Sequence, residues 1–269
     1  MSFSSSSTCR PRRPPPPSLL SRPAAGFRRP RPIRPRRGLP AVAALIFLLG
    51  AATPLFPQIA ICNPSIPSEE RIVYTETFDG AKGTTTETLH LVTEGAKSWY
   101  EVLQSSPKVD SLFRLDAGTL FPFYTETSTH EGHAEVRKSM QVVEIKGPFK
   151  ADELPVSDPN ALGLELRGFP WGSRDSARLV FIGQNGVQNL SFSLAVEGKE
   201  ALELGGRVYE CWKVQLGLDG FVGAFIPKTY FWFLAEAPHY LVKFEGLSGA
   251  PGSPKRTLVL RSYESDAPR

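Results

Sequence analysis

The sequence predicts a mainly β protein with one short helix, in which a single β-domain spans residues 69–266. From Arg71 onward apolar residues alternate with polar ones, and this period of two is typical of strands with one buried face. The same region is rich in Thr, Val, Tyr and Phe, which strands favour. Turn signals that contain Gly separate the alternating runs, and together they indicate roughly ten to twelve strands.

The N-terminal part of the chain is predicted to lie outside this domain. Residues 1–37 form a disordered tail, because the first 40 residues contain ten Arg, ten Pro and no acidic residue. Residues 38–60 are apolar, with 13 uncharged residues between Pro40 and Pro54. Since a spanning helix needs about 20 apolar residues, this segment predicts a signal peptide or an uncleaved N-terminal anchor. Either reading indicates an exported protein.

The uneven distribution of charge bears on the expected partners. The whole chain carries a net charge of +4, but ten of its 31 basic residues lie in the first 40 positions. The 21 that remain face 27 acidic residues, so the net charge from residue 41 onward is −6. A mildly acidic domain does not favour nucleic acid. We therefore expect no nucleic-acid partner, and membrane contact only through the N-terminal segment if it is uncleaved.

Turn residues and alternation place the individual strands. In the first strand Ile72, Tyr74 and Phe78 share one face. Glu131-Gly132 and Asn185-Gly186 are predicted to be two-residue hairpin loops, because Gly accepts a positive φ. Gly205-Gly206 joins two further strands, and residues 147–161 are predicted to be a loop.

A short helix is predicted over residues 158–168. Asp158 is a suitable N-cap, Pro159 is favoured at the first helical position, and Gly168 follows the last turn. Leu162 and Leu166, with Leu164 as a further candidate, would face the sheet.

The run "KTYFWFLAEAPHYLVKFEG", residues 228–246, is dense in aromatic residues. Tyr230, Trp232 and Leu234 would face one way along its first strand, and Phe231 and Phe233 would face the other. A strand that is apolar on both faces is covered on both faces, so we expect a central hairpin of the sheet here.

Motifs that would carry catalysis are not evident in the sequence. It contains no nucleophile elbow, no phosphate-binding loop and no dinucleotide fingerprint. His130 and His133 flank a predicted hairpin loop and would face each other, which makes them weak candidates for a metal site without fixed third and fourth ligands. We therefore expect no catalytic residue and no cofactor. A metal-assisted hydrolase that uses this pair is the least favoured alternative.

Two cysteines, Cys62 and Cys211, would remain after removal of the N-terminal segment. In an exported protein they permit one disulfide. Alternatively, Cys211 is a buried small hydrophobic residue. The sequence leaves both readings open.

Four stretches of the chain carry a family resemblance: "LFRLDAGTLFPFYTE", "LRGFPWG", "VEGKEALELGGRVYECWKV" and "KTYFWFLAEAPHYLVKFEG". In these stretches the chain resembles an uncharacterised bacterial envelope family, the domain of unknown function 3108. The resemblance covers most of residues 70–264. It implies an exported, periplasmic or envelope-associated protein with a strongly curved antiparallel sheet, a half-barrel or open barrel similar to lipoprotein carriers. The resemblance implies no established activity.

A curved sheet with a short helix across its open side would enclose an apolar cavity. We expect a non-enzymatic protein that binds a lipid or an acyl chain there. The candidate lining residues are Trp171, Phe181, Phe192, Trp212, Phe231 and Phe233. The alternative is a non-catalytic interaction scaffold in envelope assembly, with a filled interior and another envelope protein as its partner.

Overall fold

The computed structural model describes residues 59–131, 134–141, 149–183, 186–220, 222–248 and 252–266 of the 269-residue chain. The predicted tail and nearly all of the predicted signal segment lie outside these ranges. Within them, no helix is both long enough and apolar enough to cross a membrane.

The described residues form a single curved sheet of thirteen strands. The strands are β1 (Glu69–Phe78), β2 (Ala81–Glu94), β3 (Lys97–Ser105), β4 (Val109–Asp116), β5 (Pro122–Glu131), β6 (Ala134–Gln141), β7 (Glu153–Val156), β8 (Ser176–Gly183), β9 (Gly186–Leu204), β10 (Arg207–Leu218), β11 (Thr229–Leu234), β12 (Leu241–Leu247) and β13 (Lys255–Ser265). Their order is β6-β5-β4-β3-β2-β1-β13-β12-β11-β10-β9-β8-β7. The sheet closes nearly into a barrel, and the predicted mainly β, strongly curved fold with one short helix is confirmed.

Antiparallel pairing of neighbours builds almost the whole sheet. The first strand, β1, pairs with both β2 and the last strand, β13, so the two ends of the domain meet in the middle of the sheet. Strand β7 differs, because it pairs with β8 in parallel. This short strand lies in the segment predicted as a loop. Leu154 and Val156 are buried and alternate with half-buried neighbours. These two side chains attach the strand to the hydrophobic core.

The loop of the β5–β6 hairpin lies one residue further along the chain than predicted. Glu131 pairs with Ala134, so the connection is residues 132–133 instead of Glu131-Gly132. His130 therefore lies opposite Glu135, and the expectation that His130 and His133 face each other is wrong. The side chain of His130 and the whole of His133 lie outside the described residues. Moving the loop by one residue changes the partner of each β5 residue by two positions, which is why His130 lies opposite Glu135 and not His133.

Strand β11 is covered on both faces, as its sequence predicts. Phe231 and Phe233 are 5% and 0% exposed and pack in one core cluster. Trp232 packs on the other face in a cluster with Cys211 and Val242. Cys211 is a free, buried thiol. The reading of Cys211 as a small buried hydrophobic residue is therefore correct, and it forms no disulfide with Cys62.

Residues 159–168 form a helical segment inside the barrel. It comprises a 3-10 turn (Pro159–Ala161), the α-helix α1 (Leu162–Glu165) and a second 3-10 turn (Leu166–Gly168). A further 3-10 turn, Val222–Phe225, precedes β11. The predicted cap is confirmed, because the Asp158 carboxylate accepts a hydrogen bond from the Asn160 backbone N–H at 2.8 Å. Capping satisfies one of the free N–H groups at a helix start.

The helical segment bridges two walls of the barrel. Leu162 and Leu166 pack against the core cluster formed by β7 to β11. Leu164 packs instead against the cluster of β2 to β4, where it meets residues such as Val102 and Phe113. All three leucines are thus buried, on opposite sides of the segment. The segment is an internal partition of the barrel.

Arg167 anchors the end of this segment through a buried ion pair. Its side chain is 1% exposed and that of its partner Glu70, on β1, is 0% exposed. Arg167 Nη1 donates to Glu70 Oε1, and Nη2 donates to Oε2 at 3.2 Å. Arg167 Nε donates to the Pro238 carbonyl oxygen at 3.0 Å, and the guanidinium lies over the Tyr240 ring. One side chain therefore joins the helical segment, β1 and the β11–β12 connection.

We expect Arg167→Met to lower the free energy of unfolding by about 3–5 kcal/mol, because it leaves Glu70 buried without a counter-charge. Urea denaturation measures this loss. The double variant Arg167→Met/Glu70→Leu should recover part of it, because no buried charge then remains. Arg114→Met is the control, since its pair with Glu101 is partly exposed, and it should cost only about 0–1 kcal/mol. Equal losses for the two arginine variants would contradict this account.

Candidate functional site

A cavity of about 500 Å³ lies beside the helical segment inside the barrel. The segment contributes Leu162, Gly163 and Leu164 to one wall. Strands β8 to β13 contribute most of the opposite wall, which is largely apolar. Protein interiors rarely leave voids larger than a water molecule, so a space of this size is a candidate binding site.

Three of the six candidate lining residues lie at the cavity: Phe181, Phe192 and Phe231. The rings of Phe181 and Phe192 meet edge to face, with centroids 5.1 Å apart. Phe231 makes a similar contact, also at 5.1 Å, with Phe244, a fourth aromatic lining residue. This geometry is favourable for aromatic pairs, so the aromatic side of the cavity is a packed surface.

The other three candidates, Trp171, Trp212 and Phe233, do not line this cavity. Trp171 stacks on Trp212 with ring centroids 6.1 Å apart, and it lies 5.2 Å from Phe233. Alternation placed Phe233 on the correct face of β11. However, the chain that leaves the helical segment, residues 169–172, carries Trp171 onto Phe233 and fills the space there.

The cavity also has polar lining that sequence reasoning missed. Tyr74, Glu87 and Gln104 line it from β1, β2 and β3, Arg167 from the helical segment and Arg256 from β13. Part of the signal was present in the alternation. Glu70 and Glu76, the partners of Arg167 and Arg256, lie two residues before Ile72 and two after Tyr74 and so share their predicted core face. An acidic residue on a core face indicates a buried, paired charge.

Three buried glutamates, Glu70, Glu76 and Glu87, follow this interior face of β1 and β2, and each residue, backbone included, is 5% exposed. Glu70 is paired with Arg167 as described above. Glu76 Oε1 accepts from Arg256 Nε at 2.7 Å, and its Oε2 accepts from Thr85 at 2.9 Å.

Glu87 has fewer polar partners than the other two glutamates. Its Oε2 accepts a hydrogen bond from Gln104 Nε2 at 3.2 Å. Among the described residues it has no ion pair. The Glu87 pKa is raised from 4.5 to about 7. Burial is the main cause; the charge of Arg167 and the Gln104 hydrogen bond oppose it, and the negative charge of Glu70 adds to it. Near neutral pH this carboxyl group is therefore poised between its two protonation states.

Metal binding finds no support in the part of the chain that is described. No group of three or more His, Cys, Asp or Glu residues there is arranged to hold a metal ion. The side chains of the weak candidates His130 and His133 fall outside the described residues, so metal binding by this pair is not tested.

Comparison with known proteins gives no family assignment. No protein-family model matches the chain, and no curated protein matches it, so membership of the domain of unknown function 3108 is not confirmed. Among solved structures, a β-barrel-like protein of domain of unknown function DUF1849 from Brucella abortus is similar, with 10% identity and a TM-score of 0.39 over 77% of this chain and 98% of that one. The hypothetical lipoprotein YmcC from Escherichia coli has 11% identity and a TM-score of 0.32 over 73% of this chain and 87% of its own. Neither assigns an activity.

The raised pKa of Glu87 predicts a pH dependence of stability. The folded protein keeps the Glu87 proton up to about pH 7, whereas the unfolded chain loses it near pH 4.5. The stabilising effect is thus complete below pH 4.5 and is lost as the pH rises to about 7. In the wild type we expect the titration of Glu87 to lower the free energy of unfolding by on the order of 3 kcal/mol across this range. We expect this decrease to be absent in Glu87→Gln.

Urea denaturation at several pH values measures this difference. Burial also raises the pKa of Glu165, but that group is present in both proteins and its effect cancels in the comparison. Glu94→Gln, at an exposed position of the same strand, should keep the wild-type profile. Parallel profiles for wild type and Glu87→Gln would show that Glu87 titrates normally.

Proposed function

We propose that this protein is an exported, non-enzymatic envelope protein that binds a lipid or an acyl chain in the cavity of its barrel. The cavity beside the helical segment is the single observation that carries the proposal. Its volume of about 500 Å³ falls within the range of small-molecule sites, which are mostly apolar with a few polar groups. The apolar N-terminal segment that follows Arg36 and Arg37 supports export.

The aromatic and aliphatic wall supports an apolar ligand. Phe192, Leu216 and Phe244 line the cavity and are only half-buried in the protein, so their free surface faces the cavity space. A hydrocarbon chain that covers such surface removes it from water, which is favourable by about 25 cal/mol per Å². The binding energy would come mainly from this contact.

The position of the cavity offers a route of entry. Leu218 ends β10, Thr229 begins β11 and Leu247 ends β12, so these three lining residues lie at the same edge of the barrel. All three are half-buried. A chain-like ligand could enter between these strand ends and extend toward the helical segment.

The lining favours binding over catalysis. Its described residues include neither His nor Cys, and its two arginines are each engaged with a glutamate. A nucleophile needs a neighbouring base, and among the described residues no lining hydroxyl is hydrogen-bonded to Glu87. The side chains at the cavity are better suited to hold a ligand than to transform one.

The proposal is tested with N-phenyl-1-naphthylamine, a neutral apolar dye that fluoresces more strongly out of water. We expect saturable binding to the purified protein, with displacement by fatty acids or long-chain alcohols. Leu216→Trp should weaken binding by about tenfold or more, because the larger ring occupies the cavity. Fluorescence titration gives both dissociation constants.

The matched control is Leu103→Trp, the same substitution at a position that is 50% exposed on β3. It should bind the dye as the wild type does, and thermal unfolding of both variants checks that they are folded. If wild type shows no saturable binding, or if both variants bind equally well, the cavity is not a ligand site. The scaffold alternative would then be favoured.

A further inference from the structure

The buried glutamates of β1 and β2 are matched unequally with cations. The interior face of β1 and β2 carries three glutamates, and the chain supplies arginines to two of them: Arg167 to Glu70 and Arg256 to Glu76. Among the described residues, the third, Glu87, has only the Gln104 amide as a partner. Its Oε1 accepts no hydrogen bond within the described part of the chain, and Glu87 lines the cavity.

This mismatch leaves an unbalanced charge beside an apolar space. With all three glutamates ionised and both arginines charged, the five groups carry a net charge of −1. An isolated charge in a low-dielectric interior is strongly disfavoured, and a counter-ion placed next to it relieves the penalty. The cavity is the space from which such a counter-ion can reach Glu87.

We propose that the ligand supplies the missing cation: an amphiphile whose protonated amine binds Glu87 and whose hydrocarbon chain lies along the aromatic wall. The inference rests on the proposed function and specifies the chemical class of its ligand. An ammonium group has three donors and no acceptor, so it can satisfy the open oxygen of Glu87 while it balances the charge.

The groups that face Glu87 disfavour an anionic head. From β1 these are Glu70 and Tyr74, and from the helical segment Arg167. Arg167 directs both terminal nitrogens at Glu70 and its Nε at the Pro238 carbonyl. Burial holds the pKa of Tyr74 well above 10, so its hydroxyl stays neutral. A carboxylate placed here would meet Glu87 without an uncommitted guanidinium to offset the repulsion.

Arg256, further along the cavity, is held in the same way by Glu76. The neutral Gln104 amide on β3 completes the surroundings of Glu87. This amide already donates a hydrogen bond to Glu87, so a neutral head group would only duplicate this interaction, whereas an amine adds a positive charge. The arrangement therefore selects for positive charge and not for polarity in general.

The experiment compares three ligands of equal chain length, dodecylamine, 1-dodecanol and dodecanoic acid, as competitors of N-phenyl-1-naphthylamine. At about pH 8 the amine is protonated and Glu87 is largely ionised, and the amine should compete at least tenfold more strongly than the alcohol or the acid. The amine advantage over the alcohol should shrink toward about pH 5.5, where Glu87 is mostly protonated.

Two variants identify the group responsible. Glu87→Gln keeps the shape and the acceptor for Gln104 but loses the charge, so it should bind amine and alcohol equally at each pH. Glu94→Gln, exposed on the same strand, should keep the amine preference. All competitors are used below their micelle concentrations, and circular dichroism checks that the protein stays folded.

The outcomes separate the two proposals. Equal competition by the three ligands, or an amine preference that survives in Glu87→Gln, overturns the amine assignment and leaves the apolar site standing. If neither the dye nor any competitor binds, the proposed function itself fails.

Discussion

The buried pair of Arg167 and Glu70 is the interaction on which the interior of this barrel depends. A short helical segment cannot hold its place inside a barrel by helix formation alone, because so few residues form too few internal hydrogen bonds. Arg167 fixes it by donating to β1 and to the β11–β12 connection at once. Since an unpaired charge at this depth is very costly, the segment cannot move without breaking the pair. The positions of Leu162 and Leu164 against opposite walls follow from that anchor.

The same anchor organises the electrostatics of the cavity. Arg167 is satisfied by Glu70 and Pro238, and it acts on Glu87 only through space. Glu87 is therefore close enough to Arg167 to be affected by its charge, yet no cation in the described part of the chain pairs with it directly. Its pKa of about 7 results from these effects together. Burial raises the pKa most, and the lowering by Arg167 is partly cancelled by the repulsion of Glu70. A protein that used Glu87 only for stability would gain more from an arginine there, as it has at Glu76.

Local sequence patterns predicted the features that depend on residues close together in the chain, and few of those that depend on distant ones. Period two found the strands and both faces of β11, and the cap at Asp158 found the helical segment. The predicted hairpin loop at Glu131-Gly132 was one residue out, because turn residues mark a loop without fixing which pair closes it. The polar side of the cavity was missed for a different reason. Arg167 and Glu70 are 97 residues apart, and Glu76 and Arg256 are 180 apart, so no local pattern relates them. The pairing of β1 with β13 brings Glu76 and Arg256 together, and the position of the helical segment inside the barrel brings Arg167 to Glu70.

Two features keep the cavity open. The aromatic rings of its wall pack against one another on the sheet, and the helical segment that borders it has a glycine at its centre. Phe181 and Phe192 contact each other, and Phe231 is stacked on Phe233, so these rings are held back on the sheet. On the facing side, Gly163 presents only backbone. A Cβ there would make an ordinary contact of 3.5 Å with Leu241, so a small side chain would fit and a larger one would enter the space. The empty volume is thus the consequence of where Arg167 anchors the segment and of which residue stands at its middle. An apolar molecule that entered would complete a core that the chain itself leaves open.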